Sequence, residues 1–129
     1  MILHQVAQRA EDLERAVGFY TQLIGEPPVA TFDPPGLAFF RLGDTRLLLE
    51  RGAPSSLVYL RVDDVRATVD RLRADGVAVA NEPHVIFTDA EGIFGPAGAE
   101  EWMAFITDSE GNLVGLASQN PAEGSTKPD

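Results

Sequence analysis

Residues 9–13 read Arg9-Ala10-Glu11-Asp12-Leu13, and residues 61–65 read Arg61-Val62-Asp63-Asp64-Val65. In each, an arginine closes an apolar, strand-like stretch and an aspartate stands directly before a run of helical periodicity. Aspartate is a favoured N-cap because its carboxylate accepts hydrogen bonds from the free N–H groups of the first turn. After Asp12, the residues Leu13, Ala16, Val17, Tyr20 and Ile24 recur at helical spacing. After Asp64, Val65, Thr68, Val69 and Leu72 do the same. Gly25 and the pair Pro27-Pro28 stop the first helix, and Gly76 is expected to cap the second. Arg71 and Arg73 sit near the end of the second helix, where its dipole favours positive charge.

Working outward, Ile2 to Ala10 reads as a strand before the first helix. Val29 to Phe32, Leu37 to Leu42 and Thr45 to Glu50 read as three strands after it, separated by the turns Asp33-Pro34-Pro35-Gly36 and Gly43-Asp44. The second half repeats this order. Leu57 to Val62 is a strand, Val77 to Ala80 is extended, and His84 to Thr88, Trp102 to Thr107 and Leu113 to Ser118 are strands. Gly111-Asn112-Leu113-Val114 lies over Gly43-Asp44-Thr45-Arg46. The expected fold is α+β: two tandem βαβββ modules, residues 2–52 and 56–118, forming an open, cup-shaped mixed sheet around a groove with the helices on its outer face. Neither module is large enough to hide its sheet alone, so the two should pack together and leave the groove as a ligand site. Residues 1–118 then form one domain, and 119–129 a polar, flexible tail.

The whole chain, 129 residues with a net charge of -10, is one domain's worth of sequence. Such a negative field repels nucleic acid phosphates and anionic lipid surfaces. The absence of cysteine removes disulfides, thiolate metal sites and a cysteine nucleophile. No signal peptide is expected, and no apolar run of about 20 residues is present. A cytoplasmic location is expected. The stretch from Asp89 to Glu101 carries Gly92, Gly95 and Gly98, but it lacks the lysine and the strand-to-helix context of a phosphate loop. A connection of that length is more often functional than idle.

Two βαβββ modules of this size resemble the vicinal oxygen chelate superfamily, which contains glyoxalase I, methylmalonyl-CoA epimerase, extradiol dioxygenases, fosfomycin-modifying enzymes and bleomycin-binding resistance proteins. The resemblance rests on Asp12-Leu13-Glu14-Arg15-Ala16-Val17-Gly18-Phe19-Tyr20 with Leu23-Ile24-Gly25, on Arg61-Val62-Asp63-Asp64-Val65, and on Asp108-Ser109-Glu110-Gly111-Asn112. It implies a divalent metal held by one side chain from the first and last strand of each module. Counting from the helix-opening aspartates and the turn glycines puts those positions at Gln5, Leu47, Leu57 and Gly115. Only Gln5 has a donor atom, whereas a catalytic zinc needs about three imidazole, carboxylate or thiolate ligands. No metal and no other cofactor is therefore expected. A relocated metal site would draw on His4, Glu50 or His84.

With the metal set aside, strand alternation puts Arg9 on the groove face beside Gln5, and Tyr59 and Arg61 beside Leu57. The arginines could fork a carboxylate or phosphate, and Tyr59 offers a ring and a hydroxyl. Trp102 could stack on a ligand. The candidate ligand-binding set is thus Gln5, Arg9, Tyr59, Arg61, His84 and Trp102, with His84 and Tyr59 the candidates for acid–base catalysis. Two functions follow: a metal-free small-molecule-binding protein, as in the resistance proteins of this family, or an enzyme of the lyase, isomerase, epimerase or dioxygenase type. The resemblance also implies a homodimer. Gln8 stands in an otherwise apolar row with no evident reason.

Overall fold

The computed structural model describes residues 1–122. The elements are β1 (Gln5–Arg9), α1 (Leu13–Ile24), β2 (Ala30–Phe32), β3 (Leu37–Leu42), β4 (Thr45–Glu50), β5 (Val58–Arg61), α2 (Val65–Ala74), β6 (Ala78–Asp89), β7 (Ala99–Thr107) and β8 (Leu113–Asn120). They form two four-stranded sheets of matching order, β1-β4-β3-β2 and β5-β8-β7-β6. This is the α+β fold of two βαβββ modules that the repeat predicts. No helix among the described residues is long and apolar enough to cross a membrane.

The chain divides into two compact units. The first holds Met1–Val58 together with Thr107–Leu113, and the second holds Tyr59–Ile106 together with the chain from Val114. In the first unit β1 runs parallel to β4, pairing Gln5 with Arg46 and Arg9 with Glu50. β3 runs antiparallel to β4, pairing Phe40 with Leu47 and Arg41 with Arg46. Alternation then sends Leu47, Leu49, Ala38 and Phe40 to one face, where all four are buried with Ala16 and Tyr20 of α1. The Tyr20 and Phe40 rings lie 6.2 Å apart. Gln5, Ala7, Arg9, Arg46, Leu48, Glu50, Leu37, Phe39 and Arg41 share the opposite face.

Both helices begin as the aspartates predict. The Asp12 side chain accepts from Arg15 N at 3.1 Å, and the Asp64 side chain accepts from Arg66 N and Ala67 N. Gly25 ends α1 in the left-handed conformation, at φ 86°, which costs glycine no Cβ clash. At the end of α2 the capping residue is Asp75, with Gly76 left-handed just beyond it at φ 87°. In the second unit Val65, Val69 and Leu72 of α2 are buried, as are Ala104, Ile106, Val114 and Leu116 of the sheet.

Two strands run further than the sequence suggests. β6 is a single strand through Asn81-Glu82-Pro83, which reads as a break. It lies at the sheet edge, where proline's missing N–H need not cost a ladder bond. β8 continues past Ser118 to Asn120, because Asn120 Nδ2 donates to Asp63 O at 3.0 Å and Ser118 Oγ accepts from Val65 N at 3.0 Å. These two bonds hold the start of α2 against the strand. Of the stretch predicted as a tail, residues 123–129 lie outside the described residues.

The turn Asp108–Asn112 belongs with the first unit and is wired into it. Tyr20 donates its hydroxyl hydrogen to Asp108 Oδ2 at 2.7 Å, and burial followed by this bond raises the phenol's pKa well above its ordinary value. Asn112 Nδ2 donates to Arg9 O at 2.7 Å, and Ser55 Oγ donates to Asn112 Oδ1 at 2.6 Å. Glu110 accepts from Asp12 N at 2.7 Å and from Arg15 Nε at 2.7 Å. The Arg15 hydrogen bond, with help from the Asp12 N–H and Ser109, outweighs desolvation and holds the Glu110 carboxyl at about 2.

That depressed value has a consequence for acid stability. As pH falls, the unfolded chain takes up this proton first, near the ordinary carboxylate value of 4.5. The stabilisation is full above that pH and is lost as pH drops toward 2. Arg15 is exposed, so screening limits the effect to about 1–2 kcal/mol. Glu110→Gln is expected to flatten the pH dependence of the urea midpoint between pH 4.5 and pH 2, the interval set by the two values. An unchanged slope in the variant would count against the assignment.

Candidate functional site

A pocket of about 210 Å³ opens on the second unit, lined by Tyr59, Leu60, Arg61, Glu101, Ala117, Ser118 and Gln119. The neighbours of Tyr59 explain why its ring stands where it does. Gly115 of β8 lies against the Tyr59 ring so closely that a Cβ there would sit 2.5 Å from Tyr59 Cδ1. The Phe105 ring meets the Tyr59 ring edge to face at 5.9 Å. Tyr59 is thereby packed from beneath and beside while 52% of it remains exposed. It is a supported aromatic platform rather than a loose surface side chain.

Arg61 follows two residues along β5, on the same face, and is exposed. No ion pair or hydrogen bond engages its guanidinium among the described residues, although the carboxylate of Glu101 lines the same pocket. Gln119 adds an amide whose Oε1 is buried without a hydrogen-bond partner and lies against Gly95. The pocket therefore offers a ring face, a free cation, a carboxylate and an amide within one small volume. It can orient a planar ligand that carries charged or hydrogen-bonding groups.

The structure brings together Tyr59 and Arg61 from the sequence-derived set, and adds Glu101 and Gln119. Trp102 is not at this pocket. It has the parity of Ala104 and Ile106, which are buried in the core, and the Arg66 guanidinium of α2 stacks on its ring at 4.2 Å. His84 is exposed on β6, with Nδ1 2.9 Å from Glu82 O, and does not line the pocket. Gln5 and Arg9 belong to the first unit, on the sheet face opposite α1.

The positions implied for a metal carry poor donors. Leu47 is a correction: register pairs it with Val6, so it lies on the α1 face, fully buried, with its back to Gln5. The β4 residues that share Gln5's face are Arg46, Leu48 and Glu50. Beside Gln5 stands the cation of Arg46, which repels a divalent ion. Leu57 precedes β5 and is 50% exposed, and the Tyr59 ring fills the space that a side chain at Gly115 would need. His4 is exposed beside Arg46, with Nε2 2.7 Å from Arg46 Nη2. Among the described residues no group of three or more His, Cys, Asp or Glu could hold a metal ion.

The glycine-rich connection is shorter than predicted, since the flanking strands extend into it. It is organised by Asp89, whose carboxylate accepts from Ile93 N at 2.8 Å, Phe94 N at 2.9 Å and Gly95 N at 3.1 Å. Desolvation works to raise the Asp89 pKa, but these N–H donors outweigh it and the net shift is downward. The segment is a turn built around one carboxylate.

Two four-stranded sheets of this order, each fed by one capped helix, define the fold of two βαβββ modules found in the glyoxalase class of proteins. The chain belongs to the Glyoxalase/Bleomycin resistance protein/Dioxygenase superfamily, whose family model matches residues 2–116. It is 28% identical, over 90% of its own length and 84% of the relative's, to the trivalent organoarsenical cleaving enzyme of Thermomonospora curvata. Among solved structures it is similar to TnmS3, an antibiotic binding protein from Streptomyces sp. CB03234. That match has a TM-score of 0.66 and 25% identity, covering 93% of this chain and 97% of that one. It shares the fold of lactoylglutathione lyase from Agrobacterium tumefaciens, with a TM-score of 0.66 at 23% identity over 91% and 92% of the two chains.

Proposed function

We propose that this protein is a metal-free small-molecule-binding protein, and that its ligand lies on the Tyr59 platform with a polar or anionic group on Arg61. The observation that carries the reading is the unpaired Arg61 guanidinium beside a ring held by Gly115 and Phe105, in a pocket that also contains Glu101 and Gln119. A guanidinium without a carboxylate partner is available for bidentate contact with a ligand oxyanion. The likeness to an antibiotic binding protein supports binding without chemistry. The donor set at Gln5, Leu57 and Gly115 supports a lost metal site. A cytoplasmic homodimer is part of the proposal.

The second reading, an enzyme, draws its support from the organoarsenical-cleaving relative. Trivalent arsenic is soft and thiol-seeking, and this chain has no cysteine to meet it. His84, the other acid–base candidate, is absent from the pocket lining.

The test is a thermal-shift screen of small aromatic acids and amines, run on untagged protein stripped with chelator, beside titrations of zinc, nickel, manganese and iron(II). Expected are no stoichiometric metal binding tighter than roughly 0.1 mM and at least one stabilising aromatic compound. Such a ligand at 100 times its Kd stabilises by about 2.7 kcal/mol. Arg61→Ala should weaken it at least about tenfold, the measure of one lost charge-assisted contact. Tight one-to-one metal binding, or a ligand indifferent to both Arg61→Ala and Tyr59→Ala, would overturn the reading.

A further inference from the structure

The first unit carries a second polar feature, on the face of its sheet opposite α1. Register aligns Gln5, Arg46 and Arg41 in one row across β1, β4 and β3. Two arginines directly opposite each other on antiparallel strands repel, and such a pair is destabilising unless something neutralises it. Among the described residues neither forms an ion pair with a carboxylate, in a chain that has 20 acidic and 10 basic residues. Glu50, the acidic residue on this face of β4, is aligned with Arg9 instead, about 13 Å along the strand from Arg46.

The row is built rather than loose. The Arg46 guanidinium lies over the Phe39 ring, 5.6 Å from its centroid, and meets His4 Nε2 at 2.7 Å. A guanidinium has no lone pair to offer, so in this contact His4 Nε2 is the acceptor. Two atoms are left over. Arg46 Nε, a donor, and Gln5 Oε1, an acceptor, are both buried with no hydrogen-bond partner. Leaving such groups unmet is destabilising, and a bound group that meets both would relieve it.

We infer that the Gln5–Arg46–Arg41 row is an oxyanion-binding site, taking a phosphate- or carboxylate-type group that carries a hydrogen-bond donor next to its charged oxygens. The oxygens accept from Arg46 and Arg41, and the donor meets Gln5 Oε1. Beside Gln5, the one donor among the positions implied for a metal, this protein presents fixed positive charge from arginine, so an anionic group is held directly and not through an ion. The inference stands on the first unit alone and does not depend on the Tyr59 pocket.

Inorganic phosphate and sulfate test it, at matched ionic strength with chloride as the control, read by thermal shift and calorimetry. Phosphate keeps a P–OH donor at neutral pH, whereas sulfate has only acceptors. Phosphate should stabilise the protein saturably and bind about five- to tenfold more tightly than sulfate, the worth of one hydrogen bond. Gln5→Ala should remove that preference while leaving sulfate binding in place. Arg41→Glu should abolish binding of both anions and raise the melting temperature without anion, because it replaces a repulsive pair with an attractive one. Arg41 is exposed, so this variant reads the site even if Arg46→Gln fails to fold. Equal, unsaturable responses to phosphate, sulfate and chloride, or an Arg41→Glu protein that still binds phosphate, would overturn the inference.

Discussion

Replacing Tyr20 by alanine is expected to cost about 3–5 kcal/mol, the range for deleting a large buried aromatic side chain. Tyr20 is 1% exposed and packs against Phe19, with centroids 5.3 Å apart, and against Phe40. Its hydroxyl is also one of the bonds that holds the Asp108–Asn112 turn. Tyr20→Phe separates the two contributions. It keeps the ring and removes the 2.7 Å bond to Asp108 Oδ2, leaving that buried oxygen with Asn112 Nδ2. A loss of about 1–3 kcal/mol is expected for phenylalanine. Urea unfolding of both variants measures this. If phenylalanine is as stable as tyrosine, the hydroxyl is incidental and the turn is held by Asn112 and Glu110.

Gly115→Glu would place a carboxylate where the family's last strand offers a metal ligand, and it is expected to fail. The first new atom falls 2.5 Å from Tyr59 Cδ1 and 2.9 Å from Cε1, so the ring must move off its seat. Overpacking costs about 1–3 kcal/mol, and burying a carboxylate adds to it, so a loss of more than about 3 kcal/mol is expected. Zinc should not restore the lost stability. Tyr59→Ala in the same chain removes the obstruction and should recover part of it, a coupling that a double-mutant cycle reads directly. A Gly115→Glu protein of full stability would mean that Tyr59 is not seated on the glycine.

Helices, strands and their order were legible because each signal was local. Asp12 and Asp64 announce helices by their own chemistry, and Gly43-Asp44 announces a turn. Faces were harder. Leu47-Leu48-Leu49 is apolar on both sides of β4, so alternation carries no information there, and counting from Gly43 chose the α1 side. Arg46 and Glu50, the polar residues that mark the other face, bracket that run. Glu101 could have been found from its neighbour, since the strand parity that puts Trp102 under Arg66 puts Glu101 on the Tyr59 face. Gln119 was hidden because β8 seemed to end at Ser118, and what extends it is a bond from Asn120 to Asp63, 57 residues away. Gln8 is similar. It is fully buried, and its Oε1 accepts from Ser56 N at 3.0 Å, a partner 48 positions on that no local pattern announces.

The placement of residues 107–113 also governs how the chain can come into being. During synthesis, α1 emerges long before the residues that complete it: the Asp12 N–H must wait for Glu110, 98 positions later, and the Tyr20 hydroxyl for Asp108, 88 positions later. A nascent first module thus remains unfinished until residues 107–113 have left the ribosome. The ancestral duplication copied a module, but the present protein has lent part of its second copy to the first. A first module made without residues 107–113 lacks the partners of the Asp12 N–H and the Tyr20 hydroxyl.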